Sequence, residues 1–273
     1  MAERAVSALL HGLAGAGKTR LGTSAPKPLL FIDVEKAARF IKGRKIRWNP
    51  LTEVVPVNDG TWDICVVNVD EYNKAAKAYE VLKSKNHPFR SVLVDSVSEL
   101  QSKAVEDIKG RQQFQTQDWG KLLSRLSFFC RDMRDLTEDE GNTIEAVIMT
   151  AMSKDYDGII KPYLQGQIAA QVAYWFDITG YLYVQQLPDP ATGELKDVRM
   201  LLIGNHPNYE AKCRVPDLPP VIENPDISRL LDEIFGPDGT NLQQAVEAPA
   251  QTAIAAPPPQ EVPVPAGMPE PPS

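Results

Sequence analysis

The sequence is poor in the residues that build metal and disulfide frameworks. Its 273 residues include only 3 cysteines and 3 histidines. Cys65, Cys130 and Cys213 stand singly, an odd set that argues for a reducing compartment and against a zinc site or a disulfide frame. His11, His87 and His206 are too few and too scattered for a histidine-based metal site. No apolar run approaches the ~20 residues needed to cross a bilayer, so no membrane partner is expected. The opening Met-Ala-Glu-Arg has no signal-peptide pattern, and a cytoplasmic location is expected. A global excess of positive charge is also missing. Net charge is −7, and four acids (Asp238, Glu247, Glu261, Glu270) lie beyond Gly236, where there is no Lys or Arg. The body keeps 29 basic against 32 acidic residues. Any contact with nucleic acid must then come from a local stripe or an assembled channel.

What the chain does have is a phosphate-binding loop. Residues 12 to 19 read Gly-Leu-Ala-Gly-Ala-Gly-Lys-Thr, which is G-x-x-x-x-G-K-T. Such a glycine-rich turn aims successive backbone N–H groups at a polyphosphate, and the helix that follows offers its positive end to the same anion. Gly12, Gly15 and Gly17 shape the turn. Lys18 would reach the β- and γ-phosphates of a nucleotide, ATP and GTP being alike to such a loop, and the Thr19 hydroxyl would ligate Mg²⁺. An apolar run at residues 5–10 precedes the loop and reads as a buried parallel strand.

Further apolar runs at residues 29–32, 64–67, 92–94 and 146–149 alternate with helical patterns. That alternation predicts an α/β fold with a mostly parallel twisted sheet and helices on both faces. Tyr72, Ala75, Ala76, Tyr79 and Leu82 keep helical spacing, as do Trp119, Leu122, Leu123, Leu126, Phe129 and Met133. Ser96-Val-Ser-Glu99 reads as a capping box. Residues 178–184 and 198–203 flank Pro188-Asp-Pro-Ala-Thr-Gly193 and predict an antiparallel hairpin on the sheet edge. A last short helix is expected from Asn224-Pro225 to Gly236. From 245 to 273 the chain holds 9 of its 23 prolines, a composition that cannot bury a core. The expected division is a core at 1–236 and a disordered Pro/Ala/Glu-rich acidic tail at 237–273. The tail is either a tether for a partner such as a single-strand binding protein or a solubilising extension.

Phosphoryl transfer also needs a carboxylate for the metal and a group that orients the attacking water. Val92-Leu93-Val94-Asp95-Ser96 places Asp95 at the tip of a buried strand, where a parallel sheet presents its ligands. Asp95 would hold Mg²⁺ with Thr19. Leu29-Leu30-Phe31-Ile32-Asp33-Val34-Glu35 places Glu35 just past the next strand tip, where it could polarise a water; Asp33 competes for that role.

These residues carry a resemblance. Phe31-Ile32-Asp33-Val34-Glu35 resembles the strand of RecA-type ATPases that bears their catalytic glutamate, and Val92 to Ser96 resembles their Walker B strand. Lys212-Cys213-Arg214 is similar to the Lys-x-Arg of RecA-like recombinases and hexameric helicases, a pair that crosses a subunit interface to the neighbour's γ-phosphate. The match spans roughly residues 5–236 and is nearest to small bacteriophage RecA-core ATPases of single-strand annealing and recombination. The later Leu218-Pro219 and the stretch from Asp157-Gly158 through Leu164-Gln165-Gly166 also resemble them. The resemblance implies a RecA-like P-loop ATPase with ATP and Mg²⁺, acting as a ring or filament on single-stranded DNA. It implies DNA contacts at Lys109, Arg111 and Phe114 in one loop and at Lys154 and Lys161 in a second.

Two departures stand out. Eleven residues precede the phosphate loop, fewer than the polymerisation segment of true recombinases, which argues against long filaments. Thr150-Ala151-Met152 stands where the family carries a Gln or His sensor of the γ-phosphate, leaving Thr150 as the nearby hydroxyl. A small-molecule kinase and a non-hydrolysing adaptor or helicase loader are the alternatives. Such kinases carry an Arg-rich lid, whereas Arg125, Arg131 and Arg134 lie on one predicted helix whose outer face they are expected to solvate, and the kinase leaves Glu35 and Lys212-Cys213-Arg214 unexplained.

Overall fold

A computed structural model describes residues 4–110 and 112–236. Arg111 and the tail at 237–273 lie outside the described residues. The phosphate loop leaves strand β1 (Val6–His11) and enters helix α1 (Lys18–Gly22). Then follow β2 (Leu29–Asp33), a 3₁₀ turn at Ala37–Phe40, β3 (Lys45–Arg47), β4 (Ile64–Asn68), α2 (Tyr72–Lys83) and β5 (Ser91–Asp95). Helices α3 (Val97–Lys109) and α4 (Thr116–Asp135) lead to β6 (Ala146–Ala151). The chain continues through β7 (Ser153–Tyr156), β8 (Ile159–Pro162), α5 (Ile168–Trp175), β9 (Ile178–Pro188) and β10 (Leu195–Leu202). It closes with β11 (Lys212–Cys213), β12 (Val221–Glu223) and α6 (Ile227–Phe235).

Ten strands join in one sheet ordered β12-β10-β9-β1-β6-β5-β2-β4-β3, with β11 beside β9. Strands β3, β4, β2, β5, β6, β1 and β9 run parallel, and β10, β11 and β12 add antiparallel pairs. The apolar runs are continuous because both faces are covered. Leu9, Leu30, Ile32, Val92 and Val94 pack under α2 to α5, while Ala8, Leu10, Leu29, Phe31 and Leu93 pack under α1 and α6. Truncating one of these, Leu30→Ala for example, would cost ~2–5 kcal/mol through lost burial and a cavity.

The expected C-terminal hairpin is present, but it is more than an edge addition. Strand β9 pairs in parallel with β1 (Ala8 opposite Ile178 through His11 opposite Tyr181), so it carries the sheet past the phosphate loop. The stretch from Lys154 to Gly166, read from sequence as a loop, is largely a β-hairpin of β7 and β8. Asp157 and Gly158 at its tip have φ of 54° and 84°, and an Asp-Gly pair with both φ positive makes the tight turn whose twist suits two antiparallel strands. Helix α1 spans only five residues, so its dipole is small and loop N–H groups with Lys18 must do most of the anion binding.

Candidate nucleotide site

The C-terminal tips of β1, β2 and β5 converge. Glycine is required twice in the loop. A Cβ on Gly12 would stand 2.3 Å from the Leu182 carbonyl oxygen of β9, and Gly17 has φ of 103° in the left-handed region. Lys18 lies back on the loop, with Nζ donating to the carbonyls of Gly12 at 2.7 Å and Leu13 at 3.0 Å. Burial pushes the Lys18 ammonium below its ordinary range, opposed by Glu35 and Asp95. Thr19 Oγ1 donates to Asp95 Oδ2 at 2.6 Å, joining the loop to the tip of β5. Thr150 donates to the other Asp95 oxygen and to the Val94 carbonyl. Thr150 is fully buried, so the hydroxyl considered for γ-phosphate sensing is engaged in orienting Asp95.

The two acids after β2 have different tasks. Asp33 is 1% exposed, and its carboxylate accepts from the backbone N–H of Ala37 at 2.8 Å and of Ala38 at 3.0 Å. It caps the 3₁₀ turn and is not free to activate water. Glu35 is held differently. The Asp95 carbonyl accepts from the N–H of Val34 at 2.9 Å and of Glu35 at 3.2 Å, fixing this segment against β5. Ser96 Oγ donates to Glu35 Oε1, leaving Oε2 without a donor among the described residues. Desolvation pushes the Glu35 carboxyl above its ordinary range with help from Asp95 and Asp33, against the Ser96 bond and Lys18. Ser96 also caps α3, accepting from Glu99 N–H at 3.2 Å.

Two residues that sequence reasoning passed over belong to this region. Arg199 of β10 reaches the phosphate loop, where a Cβ on Gly17 would lie 2.6 Å from its Nε. That Nε is buried and has no hydrogen-bond partner among the described residues. His11 closes β1 in full burial. Its Nε2 lies 2.7 Å from the Glu210 carbonyl oxygen and its Nδ1 2.9 Å from Ser153 Oγ. A carbonyl only accepts, so Nε2 carries the proton and Nδ1 accepts from Ser153. Burial pushes the imidazole down to about 4, with Lys18 adding to the shift and the Glu210 bond opposing it.

The residues expected to act across subunits or on DNA lie elsewhere. Lys212 Nζ donates to the carbonyls of Ala173, Tyr174 and Phe176, and Arg214 to that of Tyr174 with Asp177 at 3.6 Å. Both cations close the C-terminal end of α5. Lys109 pairs with Asp118 at 3.2 Å, and Phe114 packs edge-on against Trp119 at 5.0 Å. Lys154 lies over the rings of Tyr156 and Tyr163 on the β7–β8 hairpin, which also carries Lys161. The arginines of α4 form no lid. Arg125 pairs with Asp107 and lies over Tyr72, Arg131 lies over Trp175, and Arg134 pairs with Asp135 and reaches the Trp175 carbonyl.

The profile of the AAA domain family matches residues 4–215, a span that begins before β1 and ends just after Arg214. The chain belongs to the AAA domain family. It is therefore a P-loop NTPase domain, and the loop, Asp95 and Glu35 all fall within the matched span. No curated protein matches the chain. Among the described residues no group of three or more His, Cys, Asp or Glu could hold a metal ion by itself. The donors of the AAA domain still suit Mg²⁺. A threonine hydroxyl and a carboxylate are hard oxygen ligands, and a bound triphosphate would complete the shell. Among the described residues no helix is long and apolar enough to cross a membrane.

Proposed function

We propose that this chain hydrolyses ATP and acts on single-stranded DNA as an oligomer, in recombination or annealing of the kind bacteriophages carry out. One observation supports hydrolysis above the rest: Glu35, and not Asp33, keeps a free carboxylate oxygen beside Lys18 and Asp95. In this reading Lys18 leaves the loop carbonyls for the β- and γ-phosphates. Thr19 and Asp95 hold Mg²⁺, which when bound neutralises phosphate charge. Glu35 Oε2 takes a proton from the attacking water. The new bond joins water oxygen to the γ-phosphorus, the β–γ bridging bond breaks, and ADP leaves with its electron pair. Arg199 supplies a cation from the same subunit.

Assembly would bring Lys212 and Arg214 to a neighbour's nucleotide, after they give up the α5 carbonyls. The loops around Lys109, Arg111 and Phe114 and around Lys154 and Lys161 would contact DNA. The acidic tail would tether a single-strand binding protein. The kinase alternative loses support from the α4 arginines, whose partners are neighbouring helices.

The deciding experiment is ATP hydrolysis by the full chain with and without single-stranded DNA. Turnover that rises with DNA and is abolished in Lys18→Ala and Glu35→Gln is the expected result. Phosphate transfer to a nucleoside or nucleotide would establish the kinase instead, and no turnover in either condition would leave the adaptor.

A further inference from the structure

Residues 36–47 read Lys-Ala-Ala-Arg-Phe-Ile-Lys-Gly-Arg-Lys-Ile-Arg, six cations in twelve residues without one acid. The body of the chain is nearly neutral, so this concentration is local. Two of the six are spent on folding the segment. Arg44 makes a two-pronged contact with Asp63 at 2.6 and 3.0 Å, and Lys45 donates to the carbonyls of Ala38 and Ile41. The other four, Lys36, Arg39, Lys42 and Arg47, form no salt bridge among the described residues.

The segment is folded into a surface. Lys36, Arg39, Lys45 and Arg47 line one cavity of about 430 Å³ at the tips of β2 and β4. The two acids on its wall are already satisfied: Asp33 caps the 3₁₀ turn, and Asp70 pairs with Lys74 at 2.8 Å. Phe40 stands beside it, 75% exposed, with the Arg39 guanidinium 4.6 Å from its ring centre. Excess cations next to an exposed aromatic face suit phosphates and a stacked base together, which an acidic peptide would use only in part. By contrast, Lys109 pairs with the buried Asp118 and Phe114 packs against Trp119.

We infer that Lys36, Arg39, Phe40 and Arg47 form a single-strand nucleic-acid surface beside Glu35. The inference rests on the reading of this chain as a DNA-dependent ATPase. It adds a consequence, because the 3₁₀ turn that carries Arg39 and Phe40 hangs from Asp33, two residues before Glu35. A strand seated there pulls on the same end of β2 that presents the water-activating carboxylate.

The test is fluorescence anisotropy of a labelled thirty-nucleotide oligo-dT with the full chain over a salt series. Arg39→Ala/Arg47→Ala should raise Kd about tenfold at 0.1 M salt and flatten the log–log salt slope by about 1.4, the amount expected for two lost phosphate contacts on single strands. Phe40→Ala should raise Kd about tenfold with the slope kept, because stacking releases no counterions. Arg39→Lys/Arg47→Lys should keep the slope, which separates charge from misfolding. Wild-type affinity and slope in both alanine variants, with Lys154→Ala weakened instead, would overturn the inference and leave the ATPase reading standing. Failure of the unmodified chain to bind oligo-dT would sink both. Loss of self-association in sedimentation with DNA affinity intact would assign the segment to an acidic face of a second copy, and would also overturn it.

Discussion

Arg199 Nε occupies the space a side chain on Gly17 would need: a Cβ there would stand 2.6 Å away. The phosphate loop and strand β10 thus constrain each other, and the contact puts a cation without a hydrogen-bonded Nε against the turn that must hold an anion. Arg199→Ala should weaken ATP binding about tenfold, the loss expected for one charge-assisted hydrogen bond. Gly17→Ala should weaken it at least as much. The double substitution should not recover, because φ of 103° costs an alanine ~1–2 kcal/mol even with the space cleared. Titration with a fluorescent nucleotide reads all three; unchanged affinity in Arg199→Ala would remove it from the site.

As the proposed base Glu35 must be ionised to accept a proton, and desolvation holds its carboxyl above the ordinary range. The acid limb of the pH–rate profile should therefore lie above that of an unperturbed glutamate. The Ser96 hydrogen bond holds this value down, so Ser96→Ala should move the limb to higher pH. Losing the α3 cap should also lower stability by ~1 kcal/mol. A Ser96→Ala profile that superimposes on wild type while the melting temperature falls would leave Ser96 a cap alone.

His11 is a base whose folded value, about 4, lies below its unfolded value of 6.5. Between those values the unfolded chain binds a proton that the native chain refuses, so stability falls as pH drops from 6.5 towards 4 and levels off below. The loss amounts to roughly 3 kcal/mol at most. Urea unfolding of wild type and His11→Gln at pH 7, 5.5 and 4.5 isolates this contribution, since the variant should lack that part of the slope. Parallel curves for the two proteins would refute it.

Lys212 and Arg214 close the end of α5 within one subunit and are proposed to serve a neighbour's nucleotide in an assembly. Mixing Arg214→Ala with Lys18→Ala should then restore turnover, because one mixed interface would hold an intact loop and an intact Arg214. Lys212→Ala should in addition destabilise the chain by ~1 kcal/mol, since part-buried carbonyls at the end of α5 lose a donor. Intact oligomers with no recovered activity would confine both cations to the helix end.

Strands β1, β2, β4, β5 and β6 could be read from sequence because a strand covered on both faces is apolar through its middle, with polar residues gathered towards its ends. The phosphate loop could be read because phosphate binding leaves few choices of residue. Asp33 and Glu35 could not be separated until the 3₁₀ turn showed which carboxylate was already used. The role of Thr150 depends on β5 and β6 lying in register, with Val94 opposite Met149, and no local pattern encodes that. Arg199 is equally hidden, since it reaches Gly17 only through the pairing of β9 with both β1 and β10. The Asp157-Gly158 turn was plain in the sequence, but family order favoured a loop there. The basic run at 36–47 is plain as well, but family order points instead to loops in which Lys109 is paired with Asp118 and Lys154 lies over tyrosine rings.

His11 directly precedes Gly12, and its ring is clasped by Ser153 on one side and by the Glu210 carbonyl on the other. The ring has no room to tilt alone. Any displacement of residue 12 would have to stretch one of these two hydrogen bonds or carry its partner along. One uncharged imidazole thus pins the start of the phosphate loop to the β7–β8 hairpin and to the segment before β11, two parts that Ile160 already joins through its bonds to Asn208 and Glu210.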